Sequence, residues 1–313
     1  MYSIQWRGEV INMSNLRYVI GAMRAPFLLL ALSCAFLGFA GAVWKVGQVD
    51  ALPAVLAFMG AVAAHACVNA FNEYFDLKSG LDTKTAPTPF SGGDPALAQR
   101  PEKAGVALTT AIVSLLITIG IGIYFLLVSG LGLLPVGLAG LLLVILYTVL
   151  LTRSPLFCLI APGLGFGCVV LGVEFALAGS YSWSGILASL VPFFLAADLL
   201  LLNQFPDVEA DRSIGRRHLP IAIGRRKSAI VYIVFLGLCY VSIIMGVALR
   251  LFPLTALLGL LTIAFAIPAG LGAYRYADDI GKLMPSLARN VLINILTPFL
   301  TGIGIILGRA FLP

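Results

Sequence analysis

Two acidic clusters, each opened by asparagine and each directly after a long apolar run, are the stretches of this chain best suited to chemistry: Asn72-Glu-Tyr-Phe-Asp76-Leu-Lys-Ser-Gly80-Leu-Asp82 and Asn203-Gln-Phe-Pro-Asp207-Val-Glu-Ala-Asp211. On a helix, residues four apart return to nearly one face, so Asn203, Asp207 and Asp211 are expected to form an aligned ladder of a neutral oxygen and two carboxylates. Asn72 and Asp76 repeat the spacing, and Gly80 is expected to end their helix and let Asp82 swing back toward them. Carboxylates crowded into a partly dry site repel one another and take up protons unless a cation neutralises them. Mg2+ takes hard oxygen ligands, keeps several waters and is commonly completed by phosphate oxygens, which makes a diphosphate a suitable third component. Lys78, Arg212, Arg216 and Arg217 stand where they could grip the charge that metal leaves, and an arginine fork suits phosphate geometry. One such cluster would ordinarily be read as helix capping or pairing with Lys78 or Arg212. Two on one side of a membrane argue for a shared site.

The elements that must hold these residues are membrane helices. Of the 313 residues 60% are hydrophobic and 11% charged, where soluble domains carry about 25% charged residues. The mean hydropathy is +1.02. Apolar runs able to cross a ~30 Å hydrocarbon layer occur at 27–44, 52–71, 106–128, 132–151, 157–178, 186–202, 229–249, 252–273 and 288–307, giving nine expected spans. The polar leader 1–26 carries Arg7, Arg17 and Arg24 without a cleavage signal, and is read as part of a retained anchor, with Met13 an alternative start. A cytoplasmic N-terminus puts all the Lys and Arg except Lys45, Arg250 and Arg309 on that side, so both acidic loops face the cytoplasm and the C-terminus faces outward. The cell inner membrane is the expected location. Anionic lipids suffice as partners for the net charge of +6, with no nucleic acid. The five cysteines lie in apolar runs without pair spacing, which fits packing better than disulfide or zinc chemistry.

The organisation is a single domain over 27–307, with motif loops at 72–105 and 203–228 and a short tail at 308–313. The two clusters hint at a weak internal repeat, and thirty-three glycines favour close helix approach. A diphosphate and metal site beside an apolar chamber points to a polyisoprenyl diphosphate whose tail runs between helices. Metal would stabilise charge on the leaving oxygens as the allylic carbon–oxygen bond breaks. An electron-rich acceptor would trap the resulting carbocation-like carbon in a dry site, and the rings of Tyr74, Tyr147 and Phe71 could face it. Glu174 is expected to pair between helices and His65 to make a structural hydrogen bond. Asp198 points away from Asp207 on an ideal helix, and His218 could contact diphosphate or serve as a base. The rival class is a secondary transporter, since helical repeats and intramembrane acids also build ion pathways.

These motifs, together with Thr88-Pro-Phe-Ser-Gly-Gly93 and Gly215-Arg-Arg217-His, resemble the UbiA superfamily of intramembrane prenyltransferases over nearly the whole chain. The Gly-x-Asp end of the first motif and Pro-Phe-Ser-Gly-Gly resemble the 1,4-dihydroxy-2-naphthoate polyprenyltransferase branch of menaquinone biosynthesis. The resemblance implies about nine helices around a central, lipid-accessible cavity with Mg2+ between the motif loops. It assigns Asn72, Asp76, Asp82, Asn203, Asp207 and Asp211 to metal and diphosphate, with Asp76, Asp82, Asp207 and Asp211 catalytic. Lys78, Arg212 and Arg217 become diphosphate contacts, and Arg24-Ala-Pro26 resembles the segment leading into the first helix. The implied substrates are a polyprenyl diphosphate and an aromatic acceptor, first of all 1,4-dihydroxy-2-naphthoate, whose prenylation accompanies loss of the ring carboxylate and leads toward demethylmenaquinone. Phe166 departs from the branch, where many members carry an acid after the second glycine of the Gly163-Leu-Gly165 segment. 4-Hydroxybenzoate, homogentisate, a chlorophyll precursor or a non-aromatic acceptor therefore remain open.

Overall fold

A computed structural model describes residues 13–81, 88–90 and 93–311. Among these residues all regular structure is helical: α1 (Met13–Ala22), α2 (Leu28–Val46), α3 (Ala51–Ser79), α4 (Pro95–Ala98), α5 (Ala104–Ser129), α6 (Leu134–Leu146), α7 (Pro155–Ala178), α8 (Trp183–Asn203), α9 (Val208–Ser213), α10 (Leu219–Ile223), α11 (Arg225–Ala248), α12 (Ile263–Arg275) and α13 (Ile280–Ala310), with 3-10 segments between some of them, the longest being Leu254–Thr262 before α12. Helix is the expected outcome, because a chain in hydrocarbon has to satisfy its own backbone N–H and C=O groups within each segment.

Among the described residues, eight segments are long and apolar enough to cross a membrane: Ala25–Val46, Ala51–Ser79, Pro101–Ser129, Pro155–Ala178, Trp183–Asn203, Arg225–Ala248, Leu254–Arg275 and Ile280–Ala310. The remaining expected span is shorter than its apolar run. Leu131–Leu146 is helical, a length of about 25 Å against the ~30 Å of hydrocarbon. Residues 147–150 are turns, and Leu151–Arg153 is a 3-10 turn. Pro155 contributes to this break, because it biases the preceding residue away from helical backbone, and Ser154 is extended at φ −122°, ψ 126°.

Helices α2 and α8 run through the middle of the molecule. The first packs on α3, α7 and α13, the second on α7, α11 and α13, while α5 lies against α3 and α6 against α7. One half, from α8 through α13, is a solid core that includes Leu195, Tyr232, Ile243 and Leu287. Glycine permits the tightest crossings: a Cβ on Gly163 of α7 would strike the Phe193 carbonyl of α8, and one on Gly38 of α2 the Val170 carbonyl of α7. The other half, from α3 through α7, borders a partly open cavity of about 390 Å³. There glycine has a second use, since Gly137, Gly140 and Gly165 line the cavity with nothing within 4 Å of a Cβ position.

Glu174 pairs between helices as expected. It accepts from the Ser182 hydroxyl, which also caps α8 by accepting from Gly185 N–H at 2.8 Å. Lys45 closes the same end by donating to the Ser180 carbonyl at 2.7 Å and the Tyr181 carbonyl at 3.1 Å. Asp198 belongs to the solid half, not to the cavity lining. It is fully buried, its carboxylate oxygens have no hydrogen-bond partner, and its carbonyl accepts from Asn290 Nδ2 at 3.3 Å.

Candidate active site

The polar end of the cavity is built where the two acidic clusters meet. Helix α3 continues through Asn72 and Asp76 to Ser79 and stops at Gly80, whose left-handed backbone (φ 70°, ψ 16°) any side chain would strain. The terminating role of Gly80 is as expected, whereas Asp82 lies outside the described residues. The second cluster departs from the expected ladder. Helix α8 ends at Asn203, the chain turns through 204–207, and α9 begins after Asp207. Pro206 has no N–H to continue the hydrogen-bond series, and its ring crowds the carbonyl four residues back. Asn203 therefore terminates one helix while Asp207 caps the next, and Asp211 N–H bonds back to the Asp207 carbonyl at 2.9 Å. The two clusters thus differ in local backbone.

The geometry then returns the chain to the first cluster. Gly215 adopts φ 82°, its N–H reaches the Arg212 carbonyl at 3.2 Å, and Arg216 N–H reaches the Asp211 carbonyl at 3.1 Å, the paired bonds of a Schellman cap. This reversal aims the Arg216 guanidinium between the clusters. Its Nη1 pairs with Asp211 Oδ1 at 2.9 Å, and its Nη2 pairs with Asp76 Oδ1. His218 Nε2 lies 3.1 Å from the other Asp211 oxygen. Burial pushes the Asp211 carboxyl up, but the His218 hydrogen bond and the Arg216 charge outweigh it and hold the group below the ordinary carboxylate range. The carboxylates of both loops and Arg216 therefore form one buried ion cluster at the cavity wall.

Asn72, Asp76, Asn203, Asp207, Asp211 and Arg216 all border this cavity. Lys78, Arg212 and Arg217 do not line it. Lys78 is exposed with its ammonium 6.0 Å from the Tyr74 ring centre, Arg212 pairs with Glu209 at 3.4 Å, and the exposed Arg217 gives its backbone N–H to the Thr152 carbonyl at 3.0 Å. Of the basic residues following Asp211, it is Arg216 that the Gly215 turn directs inward. Of the three aromatic residues expected to face substrate, Tyr147 lines the cavity. Phe71 and Tyr74 pack instead with Ala22, Ala70 and Leu97. His65 also lines the cavity, edge-on to Phe166 at 5.0 Å, and its Nδ1 has no hydrogen-bond partner, contrary to the structural bond expected of it.

Two further groups organise the site. Glu73, fully buried, accepts from Arg24 Nη2 at 3.4 Å and from Asp94 N–H at 2.8 Å, tying the segment after the first cluster to the residues that lead into α2. The unwound stretch after α6 touches the first cluster and the turn that follows the second: Thr148 Oγ1 accepts from Asn72 Nδ2 at 3.4 Å, and the Thr152 carbonyl accepts from Arg217 N–H at 3.0 Å. Glu73 was legible as part of a polar stripe, Asn69, Asn72, Glu73 and Asp76, at helical spacing. Thr148 and Thr152 carry no such signal within their apolar run.

No trio of His, Cys, Asp or Glu among the described residues forms a ready-made metal cage. The donor chemistry nevertheless fits a hard divalent cation. Asn203 Oδ1 is buried without a hydrogen-bond partner, and Asp76, Asp207 and Asp211 border the same space, with hard oxygens of the kind that complete Mg2+ coordination beside phosphate.

A helical membrane fold whose acidic loops close the polar end of an apolar cavity defines the class. Residues 31–290 match the UbiA prenyltransferase family, and the chain belongs to it. Over 183 residues it is 30% identical to 1,4-dihydroxy-2-naphthoate octaprenyltransferase of Bacillus subtilis (strain 168), a stretch spanning 56% of this chain and 56% of that relative. The fold is similar to a UbiA homolog from Aeropyrum pernix K1, with TM-score 0.69 and 19% identity over 90% of this chain and 97% of that one. It is also similar to a UbiA homolog from Archaeoglobus fulgidus bound to GPP and Mg2+, with TM-score 0.60 and 13% identity over 92% and 99% of the two chains.

Proposed function

We propose that this protein is a membrane-embedded prenyltransferase that moves a polyprenyl group from its diphosphate to an aromatic acceptor, with 1,4-dihydroxy-2-naphthoate the favoured acceptor. The observation that carries the reading is the convergence of Asp76 of α3 and Asp211 of α9 on Arg216 at the polar end of an apolar cavity. The relative from Bacillus subtilis supports the acceptor and the GPP complex from Archaeoglobus fulgidus supports the donor class.

The polar end receives the diphosphate and the apolar walls receive the tail. Asn72, Asp76, Asn203, Asp207 and Asp211, with Asp82 in the same motif, would hold Mg2+, which when bound supplies charge neutralisation on the departing diphosphate. Arg216 presents a planar fork to the phosphate oxygens, and His218 fixes the orientation of Asp211. The allylic carbon–oxygen bond breaks with its electron pair going to the diphosphate, and the acceptor ring supplies the pair for the new carbon–carbon bond. With a naphthoate acceptor, loss of carboxylate as carbon dioxide returns the ring to aromaticity. Tyr147 borders the cavity and can offer its ring face to the developing allylic cation. The apolar walls keep water from capturing that cation.

The test is transfer by the purified chain in nanodiscs, supplied with a polyprenyl diphosphate and a panel of acceptors. Diphosphate release matched by prenylated product, highest with 1,4-dihydroxy-2-naphthoate, is the expected result. Diphosphate-independent solute flux without any covalent product would overturn the reading.

A further inference from the structure

The cavity has a far end as well as a mouth. Lining residues recur along one stripe of α7, including Cys158, Ala161, Gly165, Val169, Gly172 and Ala176. The stripe from Cys158 to Ala176 rises about 27 Å, close to the full ~30 Å of the hydrocarbon layer. Beyond it lies a separate recess of about 680 Å³, bordered by Gln48, Asp50, Ser129 and Gly179 near the opposite ends of the helices. The residues that border both spaces are Phe125 and Ala176. The partition between tunnel and recess is therefore a single layer of side chains. Phe125 is 3% exposed and sits in a cluster with Ala57, Leu133 and Val173. The seam beside it is closed by Ser129 Oγ, which donates to the Ala176 carbonyl at 2.6 Å.

We propose that Phe125 is the stop of this tunnel and determines the longest prenyl tail that it encloses. The inference rests on the transferase reading and adds a specificity-determining residue remote from the chemistry. Surrounding lipid is as apolar as the tunnel wall, so discrimination at this point is steric and not a matter of hydrophobic transfer. A tail that overruns this end has to fold back, turn aside toward lipid, or displace a ring that neighbouring side chains hold in a close-packed cluster. Removing the ring joins tunnel and recess, and enlarging Ala176 shortens the tunnel by about one turn.

The experiment compares the wild type, Phe125→Ala and Ala176→Phe as full chains in nanodiscs, with geranyl, geranylgeranyl, hexaprenyl and octaprenyl diphosphates. Monodisperse elution verifies each fold, and Ala176→Phe provides an independent arm should Phe125→Ala fail to fold. Expected is a rise of at least ~10-fold in the octaprenyl-to-geranyl ratio of kcat/KM for Phe125→Ala, and a fall in that ratio for Ala176→Phe. An unchanged length profile, with transfer intact in the wild type and either folded variant, overturns the stop while leaving the transferase reading standing. Absence of transfer by the wild type at every length overturns both.

Discussion

Asp76 and Asp211 are buried, yet each has a cationic partner in the same guanidinium. Taking away Arg216 would leave the two carboxylates facing one another, and breaking a buried pair in this way costs about 3–5 kcal/mol. Arg216→Gln should therefore lower the thermal midpoint in EDTA and recover more of it on adding Mg2+ than the wild type does. Scanning fluorimetry of the purified proteins checks this, and an equal Mg2+ response in both would sink the assignment of these carboxylates to cation binding. Neutralising the acids addresses catalysis separately. Asp76→Asn and Asp207→Asn should each reduce turnover at least ~100-fold at saturating Mg2+, because each removes charge stabilisation in the transition state. Membrane insertion should be intact, and product formation per inserted protein is the measurement. At this scale the acids were readable from residue type and spacing, but the choice among Arg212, Arg216 and Arg217 was not. That choice depends on the positive φ of Gly215, which turns the chain by an angle that charge counting does not contain.

Between residues and molecule, the informative elements are those that break. Pro206 interrupts the expected ladder, and the shortened α6 releases Tyr147, Thr148 and Thr152 as turns at cavity depth. Irregular backbone is tolerated in a membrane where it borders a polar space and finds partners, as Thr148 and Thr152 do with Asn72 and Arg217. Most other helix boundaries fall within a few residues of the apolar runs, but α3 runs on past 71 to Ser79 and α13 begins at Ile280, well before 288. These breaks were harder to see, since residues 147–151 are as apolar as a continuing span and, Pro155 apart, it is tertiary hydrogen bonds that favour the turn. Glycine on α7 gives a test at the same scale. Gly165→Leu should retain or raise the thermal midpoint, leucine being about 1 kcal/mol the better helix former. It should also lower kcat/KM for a long donor at least ~10-fold by filling the tunnel. Unchanged kinetics with long donors would show that the tail takes another course.

For the whole molecule, charge distribution and fold point to one orientation. Lys45 and Arg309, two of the three basic residues expected outside, lie at the same end, since a Cβ on Gly47, two residues past Lys45, would lie 3.2 Å from the Arg309 guanidinium. We therefore propose that the ion cluster faces the cytoplasm and Phe311 the opposite side. In a chain whose five cysteines are replaced, Ser213→Cys should resist an impermeant maleimide on intact cells and react in inverted vesicles. Phe311→Cys should show the reverse, and the opposite pattern would refute the orientation. Membrane class, near-complete span positions and the pairing of the two acidic loops were all legible at this scale, since each follows from bulk hydropathy and charge. The division into one filled half and one hollow half was not, because it depends on which glycines meet a neighbouring backbone and which border open space.

The shared guanidinium also bears on what the protein ignores. With Asp76 and Asp211 already joined through Arg216, a lipid would gain a foothold at that guanidinium by offering anionic oxygens, such as those of a phosphate, in exchange for a carboxylate. A free polyprenol, carrying the same hydrocarbon but no negative charge, has nothing to trade. On the proposed reading, dephosphorylated lipid drifting through the bilayer would thus compete poorly, and selection between the two would rest on the headgroup before any tail is measured.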